Sequence, residues 1–347
     1  MTDPFDAMLG HGPDGTPIGL LRLANERLRV DLTNYGARML SIEAPDGDGR
    51  LDHVLLGFDR ADVILRAGSF GAVLGRYANR IAKGHFTLDG ETYQLSVNDG
   101  ENTLHGGKKA FAKRFWTVDA HTPTSAAFAL DSADGDQGFP GRVDAKATYT
   151  LEPDALRLDL EATTTKPTPI NLSAHPYFNL AGAAALDVAD HELEVMAAHV
   201  LPIDGQQIPL GEVRPVEGTV FDFRTPVTIG SRIRNDDPQL LVARGFDHCF
   251  VLDGASGSMR LAARLTHRPS GRVLELETDT VGLQVYTGNS LDGSLVGHGG
   301  TYRQMAGLAL EAQAFPDAPN HPSFPSTILR AGERFAATIR YRFKVAP

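Results

Sequence analysis

Glu311 lies in the run Leu308-Ala309-Leu310-Glu311-Ala312-Gln313, with apolar neighbours on both sides. A carboxylate folded into such a run must be paired, hydrogen-bonded or shifted in pKa, and those conditions suit acid–base chemistry. An outward-facing position on a strand is the competing reading. His175 lies in Asn171-Leu172-Ser173-Ala174-His175-Pro176-Tyr177-Phe178-Asn179-Leu180. The proline after it disfavours helical backbone, so His175 is expected on an extended segment. There it is either a proton-transfer group or a core histidine packed beside Tyr177 and Phe178.

Two further constellations gather polar groups at turns, where side chains can converge on a cleft. The first joins Gly75-Arg76-Tyr77-Ala78-Asn79-Arg80-Ile81 to Asn102-Thr103-Leu104-His105-Gly106-Gly107. The paired glycines permit a tight turn that frees the His105 imidazole to project. The plainer reading makes Arg80 a surface ion-pair partner and His105 a hydrogen-bonded loop residue. The second is Gly245-Phe246-Asp247-His248-Cys249-Phe250, where Asp247 is open between a site acid and a turn acid. Cys249 reads as a small buried hydrophobe, since no basic partner in the sequence would lower its pKa.

The elements that must carry these residues are strands. Phe335, Ala337, Ile339, Tyr341, Phe343 and Val345 alternate with Ala336, Thr338, Arg340, Arg342 and Lys344, the two-residue period of a sheet with one buried face. The same period marks Leu28-Val30-Leu32, Val143 to Leu151, Leu156-Leu158-Leu160 and Leu261-Ala263-Leu265. Asp89-Gly90 and Pro153-Asp154 are turn signals between such runs. The best helical candidate, Ala181 to Ala198, is broken by Gly182 and lacks an apolar stripe. Many short strands without interleaved helices predict an all-β, antiparallel sandwich or barrel, because a parallel sheet needs crossover helices. With no repeat, linker or composition shift, residues 1–347 read as one domain.

Composition limits the functions available. At 42% hydrophobic residues the chain can bury a sizeable core, and a formal charge of -10 argues against nucleic-acid or anionic-membrane partners. A neutral small molecule is compatible with that charge. The single cysteine rules out an intramolecular disulfide and a multi-thiol zinc site. The opening Met1-Thr2-Asp3-Pro4-Phe5-Asp6 has no basic segment followed by an apolar stretch, and no apolar run reaches the about 18 residues of a membrane span. The expectation is a cytoplasmic protein.

Taken in order, GRYANRIAKG at Gly75, NTLHGG at Asn102, HPYFNL at His175, FDHCF at Phe246, LQVYTGN at Leu283 and Leu310-Glu311 through FPSTILRAGE resemble aldose 1-epimerase, the galactose mutarotase family. The likeness runs from Asn34-Tyr35-Gly36-Ala37 to Phe324-Pro325-Ser326-Thr327. It implies a large antiparallel β-sandwich, with His175 as general acid and Glu311 as general base in opening and reclosing a sugar ring. It also implies that Asn79, Arg80, His105, Tyr177, Asp247 and Gln284 line a monosaccharide site. No metal or organic cofactor is implied, and a monomer or homodimer is expected. Two alternatives stand beside it: a glycoside hydrolase, which needs two carboxyls flanking the scissile bond, and a non-catalytic carbohydrate-binding protein. One departure is visible. The family commonly reads Asn-His-Ser/Thr-Tyr-Phe-Asn-Leu, whereas Ala174 and Pro176 flank the histidine here, a change expected to bear on which sugar is preferred.

Overall fold

Alternating burial organises the largest sheet. In a computed structural model that describes residues 4–346, Val143–Leu151 buries every second side chain, and Ala155–Thr164 and Arg334–Val345 follow the same pattern. They sit side by side within a nine-stranded sheet whose order is Thr117–Thr122, Ser125–Ser132, Val143–Leu151, Ala155–Thr164, Arg334–Val345, Arg272–Thr278, Arg260–His267, Glu192–Val195, Val227–Thr228. All its pairings are antiparallel. The turn at Asp89-Gly90 joins His85–Leu88 to Glu91–Gln94, with both turn residues at positive φ (50° and 85°), the geometry that matches strand twist in a two-residue hairpin.

The apolar face of this sheet packs against two others. One has five strands, from Ala7–His11 to Leu51–His53. The other has six, in the order Tyr177–Phe178, Leu308–Gln313, Gly282–Tyr286, Asp247–Val251, His199–Val200, Arg214–Pro215. One core joins the three: Ala147, Leu158, Ile339 and Leu276 from the large sheet meet Leu21, Val30 and Ile42 from the second and Leu283, Val285, Leu308 and Leu310 from the third. Phe178 shows the contact directly, its ring 5.4 Å from that of Tyr341. Truncating such a residue, for instance Leu310→Ala, would cost about 2–5 kcal/mol. The all-β sandwich is therefore the fold.

The helical candidate is not a helix. Residues Ala181 to Ala198 form turns followed by the strand Glu192–Val195. Gly182 adopts φ 112°, and a Cβ there would stand 2.5 Å from Asp52, so the chain turns where a helix would have to run on. The helices that do form are short, Ala61–Ile64, Ile229–Ile233 and Pro238–Ala243. No helix among the described residues is long and apolar enough to cross a membrane. Met1, Thr2 and Asp3, read above for a targeting signal, lie outside the described residues.

Candidate functional site

Strand register builds one wall of the site. Along Leu308–Gln313 the side chains of Leu308, Leu310 and Ala312 enter the main core, so Ala309, Glu311 and Gln313 take the opposite face. Neighbouring strands continue the rows across the sheet. Tyr177, Ala309, Tyr286 and Asp247 are successive cross-strand partners, and Glu311, Gln284 and Cys249 form the next row. Extending the first pairing by two residues sets His175 opposite Glu311, although the ladder stops at Tyr177, where Pro176 brings no N–H. The result is measurable: His175 Nε2 lies 3.5 Å from Glu311 Oε1, with both side chains almost fully buried.

The second wall comes from two crossing turns. Arg80–Ile81 pairs with Thr103–Leu104, and beyond that short ladder the His105 N–H donates to the Asn79 carbonyl at 3.0 Å. The Asn79 N–H returns the bond to His105 Nδ1 at 3.1 Å. Asn79 (φ 64°) and His105 (φ 51°) both hold left-handed backbone, a cost the reciprocal bonds offset. Gly106 follows at φ 91°, and a Cβ there would lie 2.2 Å from the Gly75 carbonyl oxygen, so the close approach of the two turns requires glycine.

Between the walls is a cavity of about 620 Å³ lined by Asn79, Arg80, His105, His175, Tyr177, Asp247 and Glu311. His175 stacks on Tyr177, ring centroids 4.8 Å apart, and meets His105 edge-on at 5.3 Å. Arg80 donates from Nε to Asp99 Oδ2 at 2.8 Å, and its NH1 is 3.7 Å from Asp247 Oδ2. Burial dominates the protonation equilibria. It lowers His175 to about 4, an effect that the charge of Arg38 reinforces and a bond with the residue's own backbone opposes. It raises Glu311 well above the usual carboxylate range, helped by the charge of Asp247 and opposed by that of Arg80. Asp247 is raised by burial, against the pull of Arg80 and the bond from Gln284.

These directions bear on the two groups' resting state. A depressed histidine beside an elevated glutamate favours imidazole with a protonated Glu311 over imidazolium with carboxylate. His105 differs. Burial, then repulsion from His175 whenever that ring is protonated and from Arg80 and Lys113, disfavours a second proton, and because its Nδ1 accepts from Asn79, its proton is on Nε2. His105, His175 and Glu311 offer ligand atoms that lie within 4.8 Å of one another. A metal at that point would need the nitrogen of His105 that carries the proton, while the other nitrogen already accepts a backbone N–H. The donor set thus fits a hydrogen-bonded ligand better than a cation.

The site geometry is matched by likeness in sequence and fold. A family model described as Aldose 1-epimerase matches residues 19–342. The chain belongs to the aldose 1-epimerase family. It is 43% identical to galactose mutarotase of Bos taurus over 98% of each chain, and 40% identical to aldose 1-epimerase of Escherichia coli K12 over 95% of this chain and 96% of that one. Among solved structures, the GalM/aldose epimerase homologue from C. elegans superposes with a TM-score of 0.86 at 30% identity, covering 95% of this chain and all of that one. Galactose 1-epimerase from Lactobacillus acidophilus gives 0.85 at 27% over 98% and 99%. Membership places the chain among the isomerases.

Against the aldose 1-epimerase expectations, seven of the eight named residues, His175, Glu311, Asn79, Arg80, His105, Tyr177 and Asp247, line the one cavity. Gln284 does not. It is buried on the same sheet face and donates from Nε2 to Asp247 Oδ1 at 2.6 Å, so it holds Asp247 without joining the lining. Ala174 and Pro176 also miss the cavity. Ala174 is fully buried in the main core, paired with Val73, and Pro176 is buried outside the lining, so the difference from the family pattern lies beside the cavity wall and not in it. Cys249 is buried, its thiol pushed up chiefly by desolvation.

Sequence reasoning missed Tyr286, Asp99, Gln206, Gln207 and Ser290, which share the lining. Tyr286 had a usable signal. It is two residues from Gln284 on one strand, hence on the same face, and it stands beside Asp247 in register. Gln206 and Gln207 sit in a loop with no periodicity to betray them.

Proposed function

We propose that this cavity interconverts the α and β anomers of a free aldose, with Glu311 as general base and His175 as general acid. The observation that carries the reading is the 3.5 Å approach of His175 Nε2 to Glu311 Oε1 on the floor of a cavity with room for a monosaccharide. A base removes the proton from the C1 hydroxyl, the C1–O5 bond breaks and an acid protonates O5, leaving a free aldehyde. Rotation about C1–C2 and addition of the C5 hydroxyl oxygen to the other face then reverse the proton movements. The two groups need one proton between them, and each turnover passes it through the sugar and returns it.

The resting tendency towards a neutral pair fits this cycle. Imidazole with protonated Glu311 is the state left when the ring has opened, and imidazolium with carboxylate is the state that opens it. Cyclic sugar supplies the hydroxyl donors and acceptors that stabilise the charged form inside the pocket. Arg80 and the His105 Nε2–H are donors to sugar oxygens, Asp247 an acceptor, Asn79 and Tyr177 complete the contacts, and Gln284 acts through Asp247. No metal or organic cofactor enters this scheme. We further read residues 1–347 as one catalytic domain, a cytoplasmic monomer or homodimer without nucleic-acid or membrane partners.

Relatives named galactose mutarotase and aldose 1-epimerase support the anomeric reaction over binding alone. A glycoside hydrolase would need Asp247 as its second carboxyl, but Asp247 Oδ1 already accepts from Gln284. The deciding experiment follows the optical rotation of freshly dissolved α-D-glucose, α-D-galactose and pentoses with catalytic amounts of protein. Accelerated relaxation is expected for at least one aldose. Relaxation at the spontaneous rate for all of them would sink the proposal, and phenol release from aryl glycosides would replace it with hydrolysis.

A further inference from the structure

The loop from Asp204 to Ile208 lines the cavity through Gly205, Gln206 and Gln207 and touches Arg80 through Gln207. Asp204 folds the loop on itself: its Oδ1 accepts from the N–H groups of Gln206 at 2.8 Å and Ile208 at 3.0 Å, and its carbonyl accepts from Gln207 N–H at 3.0 Å. The base of the loop is tied to the helix Pro238–Ala243, because the Gln239 amide both accepts from Ile203 N–H at 2.7 Å and donates to the Ile203 carbonyl at 3.0 Å. At its tip Gln207 takes left-handed backbone, φ 62°, rare for a residue with a side chain. That conformation aims Gln207 Oε1 at the guanidinium of Arg80, from whose NH2 it accepts a hydrogen bond.

A guanidinium has five N–H donors in a rigid planar fork, so holding two of its nitrogens fixes where the third points. Asp99 holds Nε of Arg80 at 2.8 Å and Gln207 holds NH2. NH1 donates no hydrogen bond to any described residue; it lies 3.7 Å from Asp247 Oδ2, and Arg80 is on the cavity wall. Without Gln207 the fork is free to turn its NH1–NH2 edge onto Asp247, which would consume both the donor and the acceptor that face the sugar.

We infer that Gln207 is a positioning residue that fixes the Arg80 fork, so that NH1 and Asp247 meet one sugar hydroxyl together and set which aldoses bind. This rests on the anomerase reading of the same cavity. The effect is on binding of ground state and transition state alike, so it belongs in KM and Kd rather than in kcat.

The test compares Gln207→Leu, which removes the acceptor, with Gln207→Glu, which keeps it, using calorimetric Kd for equilibrated D-galactose and D-glucose and polarimetric KM and kcat. Gln207→Leu is expected to raise Kd and KM about 10-fold with kcat within about 2-fold, while Gln207→Glu stays within about 3-fold of wild type. In an Arg80→Lys background, where no fork exists to be aimed, Gln207→Leu should change nothing further; an equal loss there would mean that Gln207 touches sugar directly, and would overturn the positioning role. Unchanged Kd and KM in Gln207→Leu, or equal impairment in Gln207→Glu, would overturn it as well. A wild type that binds sugar without mutarotation defeats the function proposed above, and the Kd comparison still decides this one.

Discussion

Gln284 stands directly opposite Glu311 across the strand pair, yet it gives its amide hydrogen to Asp247 and leaves Glu311 Oε2 with no hydrogen-bond partner among the described residues. A buried carboxyl oxygen without a partner is costly unless a ligand supplies one. On the function proposed above, a hydroxyl of the substrate would supply that partner.

Replacing Glu311 by Gln keeps the shape and burial of the side chain and removes its ability to carry the proton. Polarimetric kcat should fall about 10²-fold or more, with the thermal unfolding midpoint near that of wild type. Near-normal rates would take Glu311 out of the mechanism.

The pH dependence of the rate should be a broad bell. On the proposed mechanism, activity needs one proton shared by His175 and Glu311, whichever of them holds it at rest. As pH falls towards the His175 value of about 4, the pair gains a second proton and loses its base. As pH rises through the elevated pKa of Glu311, the shared proton leaves and the acid is lost. The acid limb is thus expected near pH 4, and the plateau should extend well beyond the narrow interval between an ordinary glutamate and an ordinary histidine. An acid limb at pH 6 or above would contradict the buried, coupled pair.

How much of this was readable from sequence depends on how many faces of a strand are buried. Val143–Leu151 and Arg334–Val345 expose one face, so their alternation announced both strand and core. Leu308–Gln313 is buried on both, one face in the core and the other in the cavity, which is why an apolar run surrounded Glu311 and its facing stayed ambiguous. The meeting of His175 with Glu311 needed the cross-strand register of Tyr177 with Ala309, a long-range pairing that no local pattern encodes. The same limit hid the role of the Gln284 amide, because only the observed bond to Asp247 reveals which neighbour it serves. Ala174 and Pro176 flank His175 in sequence yet do not join it in the lining, because successive residues of an extended segment face apart.

His105 should act as a neutral hydrogen-bond donor. Its Nδ1 accepts from the Asn79 N–H, and burial with neighbouring positive charge keeps the ring from taking a second proton. Removal of the ring in His105→Ala should raise KM by about 10-fold or more and leave the shape of the pH profile unchanged. A profile whose limbs move in that variant would show that His105 titrates during turnover, contrary to the neutral assignment.

Acid should destabilise the fold through histidines that are buried neutral. His191 and His248 are fully buried, with values lowered to about 4 and about 3; burial is the largest cause for both, and for His191 the charge of His267 adds to it. Below the unfolded-state value of about 6.5 an unfolded chain binds protons that the folded chain refuses, so stability is fully present above that pH and is lost as pH falls towards the folded values. Each such histidine should cost roughly 1 kcal/mol between pH 7.5 and 5.5, read from denaturant midpoints at the two pH values. His248→Leu separates this from a general acid effect. The variant should lose about 1–3 kcal/mol at pH 7.5, since the Asp247 N–H that His248 Nδ1 accepts at 3.1 Å is left without its partner. Its stability should nevertheless depend less steeply on pH, by close to one proton. An identical pH slope in the variant and the wild type would show that His248 titrates alike in the folded and unfolded chains.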